Sequence, residues 1–100
     1  MILGGVVKQP AELFPVSIDF SRELDSSETL SSAAITVRNA ATAADISAAI
    51  LSGSAAVATP VITQKITGGT SQDVYILTML ATTSSGNKYE GEITITMIES

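Results

Sequence analysis

One hundred residues, 45% hydrophobic and 15% charged, form a single domain with room for one modest core. Ten acidic against five basic side chains give a net charge of −5, and Lys8, Arg22, Arg38, Lys65 and Lys88 stand singly, leaving no basic stripe for nucleic acid or an anionic membrane. Without cysteine or histidine there is no disulfide framework, no thiol chemistry and no imidazole base, which favours synthesis in a reducing cytoplasm.

The opening MILGGVV has neither the basic flank nor the length of a signal sequence, and no apolar run reaches membrane-spanning length, so a soluble, unprocessed chain is expected. Residues 1–12 read as an N-terminal segment ahead of one domain over residues 13–100. In LFPVSIDF, Val16, Ile18 and Phe20 alternate with Ser17 and Asp19, the period of a half-buried strand. Pro15 lacks an amide donor, so this strand starts there or lies at a sheet edge. The polar turn SRELDSSE follows, and TLSSAAITV then places Ile35 and Val37 on one face. In RNAATAADISAAILSGSAAVATP, Ile46 and Ile50 have helical spacing, but Gly53 and Pro60 bound a Ser/Ala-rich stretch with little to anchor a helix face. A short strand around Ala48–Leu51 between loops is the expectation for residues 39–60. ITQKI sets Ile62, Gln64 and Ile66 against Thr63 and Lys65, and Gly68–Gly69 ends it.

The last two predicted strands run from about Val74 to Thr83 and from Lys88 to Ile98, joined by the turn residues of TTSSGN. A four-residue loop, Ser84 to Asn87, pairs Ile76 with Ile95 and Val74 with Met97. A three-residue loop centred on Gly86 pairs Leu77 with Ile95 and Tyr75 with Met97. The final strand has a plain core face of Ile93, Ile95 and Met97, opposite Glu92, Thr94 and Thr96. Its partner is apolar on both faces, Tyr75, Leu77 and Met79 on one and Val74, Ile76 and Leu80 on the other, so alternation alone leaves its core face open.

DVYILTMLATTSSGN resembles the penultimate strand of immunoglobulin-like domains, where an acidic residue precedes an inward Tyr and a Gly-containing hairpin follows. The likeness favours Tyr75, Leu77 and Met79 as core. The longer stretch VITQKITGGTSQDVYILTMLATTSSGNKYEGEITI is similar to the C-terminal half of small phage and prophage virion proteins, some of them fiber–tail adaptors, and VSIDFSRELDSSETLSSAAITV is similar to their first half. Together these cover roughly Val16 to Met97. Where that family often carries Trp, this chain has Ala34 and Lys65. The resemblance implies an all-β, immunoglobulin-like two-sheet antiparallel sandwich of about seven strands. It implies a phage- or prophage-derived structural protein of the tail or fiber-attachment region, not an enzyme, with no cofactor. Its partners would be other virion proteins or copies of itself, with no nucleic acid and no membrane. Made in the bacterial cytoplasm, it would end in the tail or neck of the virion. The competing reading is an immunoglobulin-like module that binds carbohydrate or a cell surface, for which only Tyr75 and Tyr89 are available as stacking tyrosines.

Candidate chemistry is sparse. Glu23, Asp25 and Glu28 share one acidic turn, but their spacing fits no EF-hand loop, and a solvated turn is expected. Gly68, Gly69 and Thr70 have no following lysine motif and read as a tight turn rather than a phosphate loop. Ser–Lys chemistry is conceivable with Lys65 or Lys88, but both fall in exposed strand or turn positions. Glu90 and Glu92 sit two apart on one outward face, the pattern of a solubilising strand surface rather than of a glycosidase pair. The second apolar face, Val74, Ile76 and Leu80, is the candidate assembly surface. The alternative is a shallow cover over it from loops or the N-terminal segment. Ile76→Asp and Leu80→Asp are then expected to disrupt assembly and spare the fold.

Overall fold

Strands with one apolar face must bury that face against another sheet. The computed structural model describes residues 2–98, so the outer ends of both expected segments, Met1 and Glu99–Ser100, lie outside the described residues. In chain order the elements are β1 (Ile2–Lys8), β2 (Phe14–Asp19), β3 (Leu30–Asn39), α1 (Ser47–Ile50), β4 (Leu51–Ala58), β5 (Val61–Ile66), β6 (Val74–Thr83) and β7 (Lys88–Met97). They form a four-stranded sheet in the order β1-β7-β6-β3 and a three-stranded sheet in the order β2-β5-β4. Every pairing is antiparallel except β1 with β7, which is parallel. The result is a two-sheet, almost entirely β sandwich.

The core lies where the inward faces meet. Val16, Ile18 and Phe20 come from β2 and the residue after it, Ile62 and Ile66 from β5, Leu77 and Met79 from β6, and Ile95 and Met97 from β7, all buried. Pro15 sits on β2 at the edge of the smaller sheet, where its missing donor breaks no central ladder. On β3, Val37 is buried and Ile35 packs against the core from a partly buried position. Tyr75, Leu77 and Met79 are the inward side of β6, and the alternation of the last strand is as its sequence reads.

Three expectations are corrected. The middle of the chain is not a strand at Ala48–Leu51 among loops; it is the one-turn helix α1 followed by β4. The i, i+4 spacing of Ile46 and Ile50 decides the turn, because one turn of helix lets both reach the core, Ile50 fully and Ile46 in part. Ser47 holds this turn to β3, its hydroxyl accepting the Val37 amide at 2.9 Å. The strand β4 then survives Gly53 through a bulge between Ser52 and Ala56. Buried Gln64 fills the bulge, its amide nitrogen donating to the carbonyls of Ser52 and Gly53 at 3.2 Å each. A ladder interruption is thereby given the partners that buried backbone requires.

The hairpin has neither expected register. Tyr75 pairs with Ile95 and Leu77 with Ile93. The loop has three residues, but it is Ser84–Gly86, closed by Thr83 N–H to the Asn87 carbonyl at 2.9 Å and Gly86 N–H to the Thr83 carbonyl at 3.0 Å. Gly86 takes the positive φ, 84°, at the last loop position, as a type I turn with a bulge demands. This register keeps the odd-numbered residues of both strands facing the core, so the sidedness of the three-residue alternative holds while its pairs shift by two.

The third correction concerns the acidic turn, whose Glu28 is buried. The N-terminal segment also does not lie over the outer face of β6, because residues 2–8 pair edge-on with β7 as a strand. One side of the sandwich is closed by packing of β3 against β4. On the other side β1 and β2 leave a cleft of about 610 Å³. No helix among the described residues is long and apolar enough to cross a membrane.

Candidate functional site

Pairing of β6 with β3 and β7 lays the candidate assembly residues in a row on the outer face of the larger sheet. Val74 is 37% exposed, and Ile76 and Leu80 are half-buried. Across the sheet Val74 stands opposite Thr96, Ile76 between Arg38 and Thr94, and Leu80 between Ala34 and Glu90. The row is divided at Thr78. There Arg38 Nη1 donates to Glu92 Oε2 at 3.4 Å and to Thr78 Oγ1 at 3.5 Å, and the Thr78 hydroxyl donates to Glu92 at 3.4 Å. With Arg38 well exposed, this ion pair adds little stability; its effect is to place a polar crossbar between two apolar spots. The spot at Val74 and Ile76 extends to Val7, which is 61% exposed and joins the row through Thr96. Sequence reasoning missed Val7 because β1 gave no clear strand signal.

The other candidates are dispersed. The Glu28 carboxylate enters the β6–β7 hairpin rather than facing solvent with the rest of its turn. There its Oε2 accepts from the Thr83 hydroxyl at 2.5 Å and from Asn87 Nδ2 at 3.0 Å, and its Oε1 accepts from Asp25 N–H at 3.1 Å. Asp25 is exposed and Glu23 borders the β1–β2 cleft. Among the described residues no three such side chains gather around a cation position. Gly68–Thr70 form the turn between β5 and β6, where Thr70 N–H donates to the Tyr75 hydroxyl at 2.8 Å and that hydroxyl donates to Asp73 at 3.3 Å. Lys65 and Lys88 are exposed, and Glu90 and Glu92 share the outer face.

Lys8, in the sequence one of five bases that stand singly, is fully buried. Its ammonium donates to the Gly68 carbonyl at 2.8 Å and the Gln9 carbonyl at 2.9 Å, tying the end of β1 to the Gly68 turn. Burial pushes its pKa below the ordinary lysine value, partly opposed by the charge of Glu12. The tyrosines offer no stacking platform for a sugar: Tyr75 is 3% exposed, and Tyr89 packs against the core.

Glu28 carries a pH prediction. The Thr83 hydroxyl first, then the Asp25 amide, hold its carboxyl below the usual glutamate value. A carboxylate with a depressed folded pKa stabilises the fold above the unfolded value, near 4.5, and that contribution is lost as pH falls through the lower folded value. Asp19 and Asp45, lowered chiefly by the Ser21 backbone amide and the Ser47 hydroxyl respectively, act in the same direction. Glu28→Gln is therefore expected to melt lower at neutral pH and to lose less of its melting temperature on acidification than the parent. Melting curves from pH 7 to pH 3 that run parallel for the two proteins count against this role.

The sandwich and its outer row can be set beside known proteins. No curated protein matches the chain. The family profile described as podophage GP4 fiber-tail adaptor protein gp77 matches residues 8–96. The matched span runs from the buried Lys8 through all but the last residue of β7, and so takes in both faces of β6, the Glu28 latch and the closing hairpin. By a match over most of its length, this chain belongs to the podophage GP4 fiber-tail adaptor family, and it is a structural protein of the phage tail at the site of fiber attachment.

Proposed function

We propose that this chain works without catalysis, as an adaptor that holds virion proteins together through its β-surface, with Val74, Ile76 and Leu80 in the contact. The family match over residues 8–96 carries the proposal. Two apolar spots on the outer face supply the surface, Val74 and Ile76 with Val7 on one side of the Arg38–Glu92 crossbar and Leu80 on the other, since apolar side chains left open on a sheet face suit a protein contact. Copies of the chain arranged around the tail axis would present the row repeatedly, as symmetric assemblies do. The fold we assign is immunoglobulin-like. Strand order β2-β5-β4 against β7-β6-β3 supports it, as does a Tyr near the start of β6 whose hydroxyl is bound by the backbone five residues upstream. In this reading the domain spans residues 13–100 with β1 added to its larger sheet, and the chain is made in the bacterial cytoplasm before joining the particle. Deleting the gene from the phage that carries it should yield particles with tails but without fibers, restored by supplying the chain in trans. Normally fibered particles from the deletion, examined by electron microscopy, would refute the adaptor role.

A further inference from the structure

We propose that the cleft between β1 and β2 receives an extended segment of another virion polypeptide, which adds as a strand to the free edge of β2. The inference rests on the adaptor reading and states where and how a partner is gripped. The edge is defined by the β2–β5 ladder. Phe20 N–H donates to the Pro60 carbonyl at 2.8 Å, which makes that pair one of the closely bonded positions. Alternation makes Ile18–Ile62 and Val16–Gln64 closely bonded as well. The intervening Ser17–Thr63 pair behaves as its type should, with side chains near enough for a 2.8 Å hydroxyl contact. The amides of Ser17 and Asp19 and the carbonyls of Pro15, Ser17 and Asp19 consequently point away from β5, at the spacing an added strand reads.

The opposite wall is open for the same occupant. Gly4 pairs with Ile93, an inward position, two residues before the inward Val6. A Cβ at Gly4 would meet nothing within 4 Å. The inner layer is therefore missing a side chain where Val6, Val16, Ile18 and Ile93 line the cleft. A strand added to β2 directs every second side chain into that layer, so the occupant carries apolar residues at alternate positions. Natural sheets protect exposed edges with proline, charge or a covering segment; on β2 Pro15 guards one end and Asp19 the other, with Arg22 and Glu23 beyond it on the cleft wall, which leaves the stretch around Ser17 open. A second copy pairing through its own β2 would keep Val16 and Ile18 in its own core, so it would extend the sheet without filling the inner position at Gly4.

The test places Ser17→Pro and Gly4→Val in the phage and measures the chain in purified particles. Ser17→Pro removes an outward donor and leaves the β5 ladder intact; Gly4→Val fills the empty inner position. Both proteins should melt near the parent, and both should fall in particle content on the order of tenfold relative to it. If Ser17→Pro unfolds, Gly4→Val decides alone. Parent-level incorporation of folded variants overturns the cleft assignment and leaves the adaptor reading standing. Absence of the parent itself from particles overturns both. Self-association of the isolated chain that Ser17→Pro abolishes, seen by sedimentation, makes a second copy the occupant and likewise overturns the assignment.

Discussion

Gly69→Ala is expected to lower stability by about 3 kcal/mol, combining backbone strain with overpacking. Gly69 holds φ at +104°, a conformation that side-chain-bearing residues rarely adopt. An added Cβ would lie 2.6 Å from Met97 Cε, 2.9 Å from its sulfur and 3.2 Å from Tyr75 Cε2. The methionine tip is flexible, but Met97 is 1% exposed and has little free space to enter. Tyr75 is held in place by its hydroxyl bonds to Thr70 and Asp73. Gly86→Ala separates the two contributions. Its φ is +84° with nothing within 4 Å of the added atom, so only the backbone term of roughly 1 kcal/mol applies. Denaturant midpoints of the two variants measure the difference, and equal losses would remove the packing argument.

The second expectation contrasts neighbours on β6. Leu77→Ala should cost about 3–4 kcal/mol, since Leu77 is fully buried on a central strand with no room for the fold to collapse onto the cavity. Ile76→Asp, one residue away, should cost about 1 kcal/mol, because it faces outward and loses mainly strand preference. Its new carboxylate stands opposite Arg38. At Leu80 the structure changes the choice of substitution. Leu80 lies directly opposite Glu90, where Asp would add like-charge repulsion and Lys gains a partner. Ile76→Asp with Leu80→Lys should give a folded chain that fails to enter particles, whereas Leu77→Ala should lose thermal stability first. Urea unfolding together with particle content reports on both. If the double variant unfolds as readily as Leu77→Ala, the outer row belongs to the fold rather than to a contact.

The strictly alternating strands, the inward faces of β2, β5 and β7 and the family resemblance are all legible in the residues without a fold. Those features are local: two-residue periodicity fixes a face wherever one side is polar, and turn residues mark the ends. On β6 periodicity could not choose a face; the resemblance pointed to Tyr75, and the pairing with β3 and β7 placed it inside. The remaining features come from contacts between segments. The hairpin loop shifted from Gly86-centred to Ser84–Gly86 because Thr83 and Asn87 close it, with Glu28, distant in sequence, binding both side chains. The helix α1 and the bulged β4 depend on β3 and on Gln64, and Lys8 is buried only because the Gly68 carbonyl, 60 residues along, receives its ammonium. Each is a polar group whose partner lies far along the chain. Local composition cannot reveal such a partner, since burial of the group is favourable only once the fold has brought the two together.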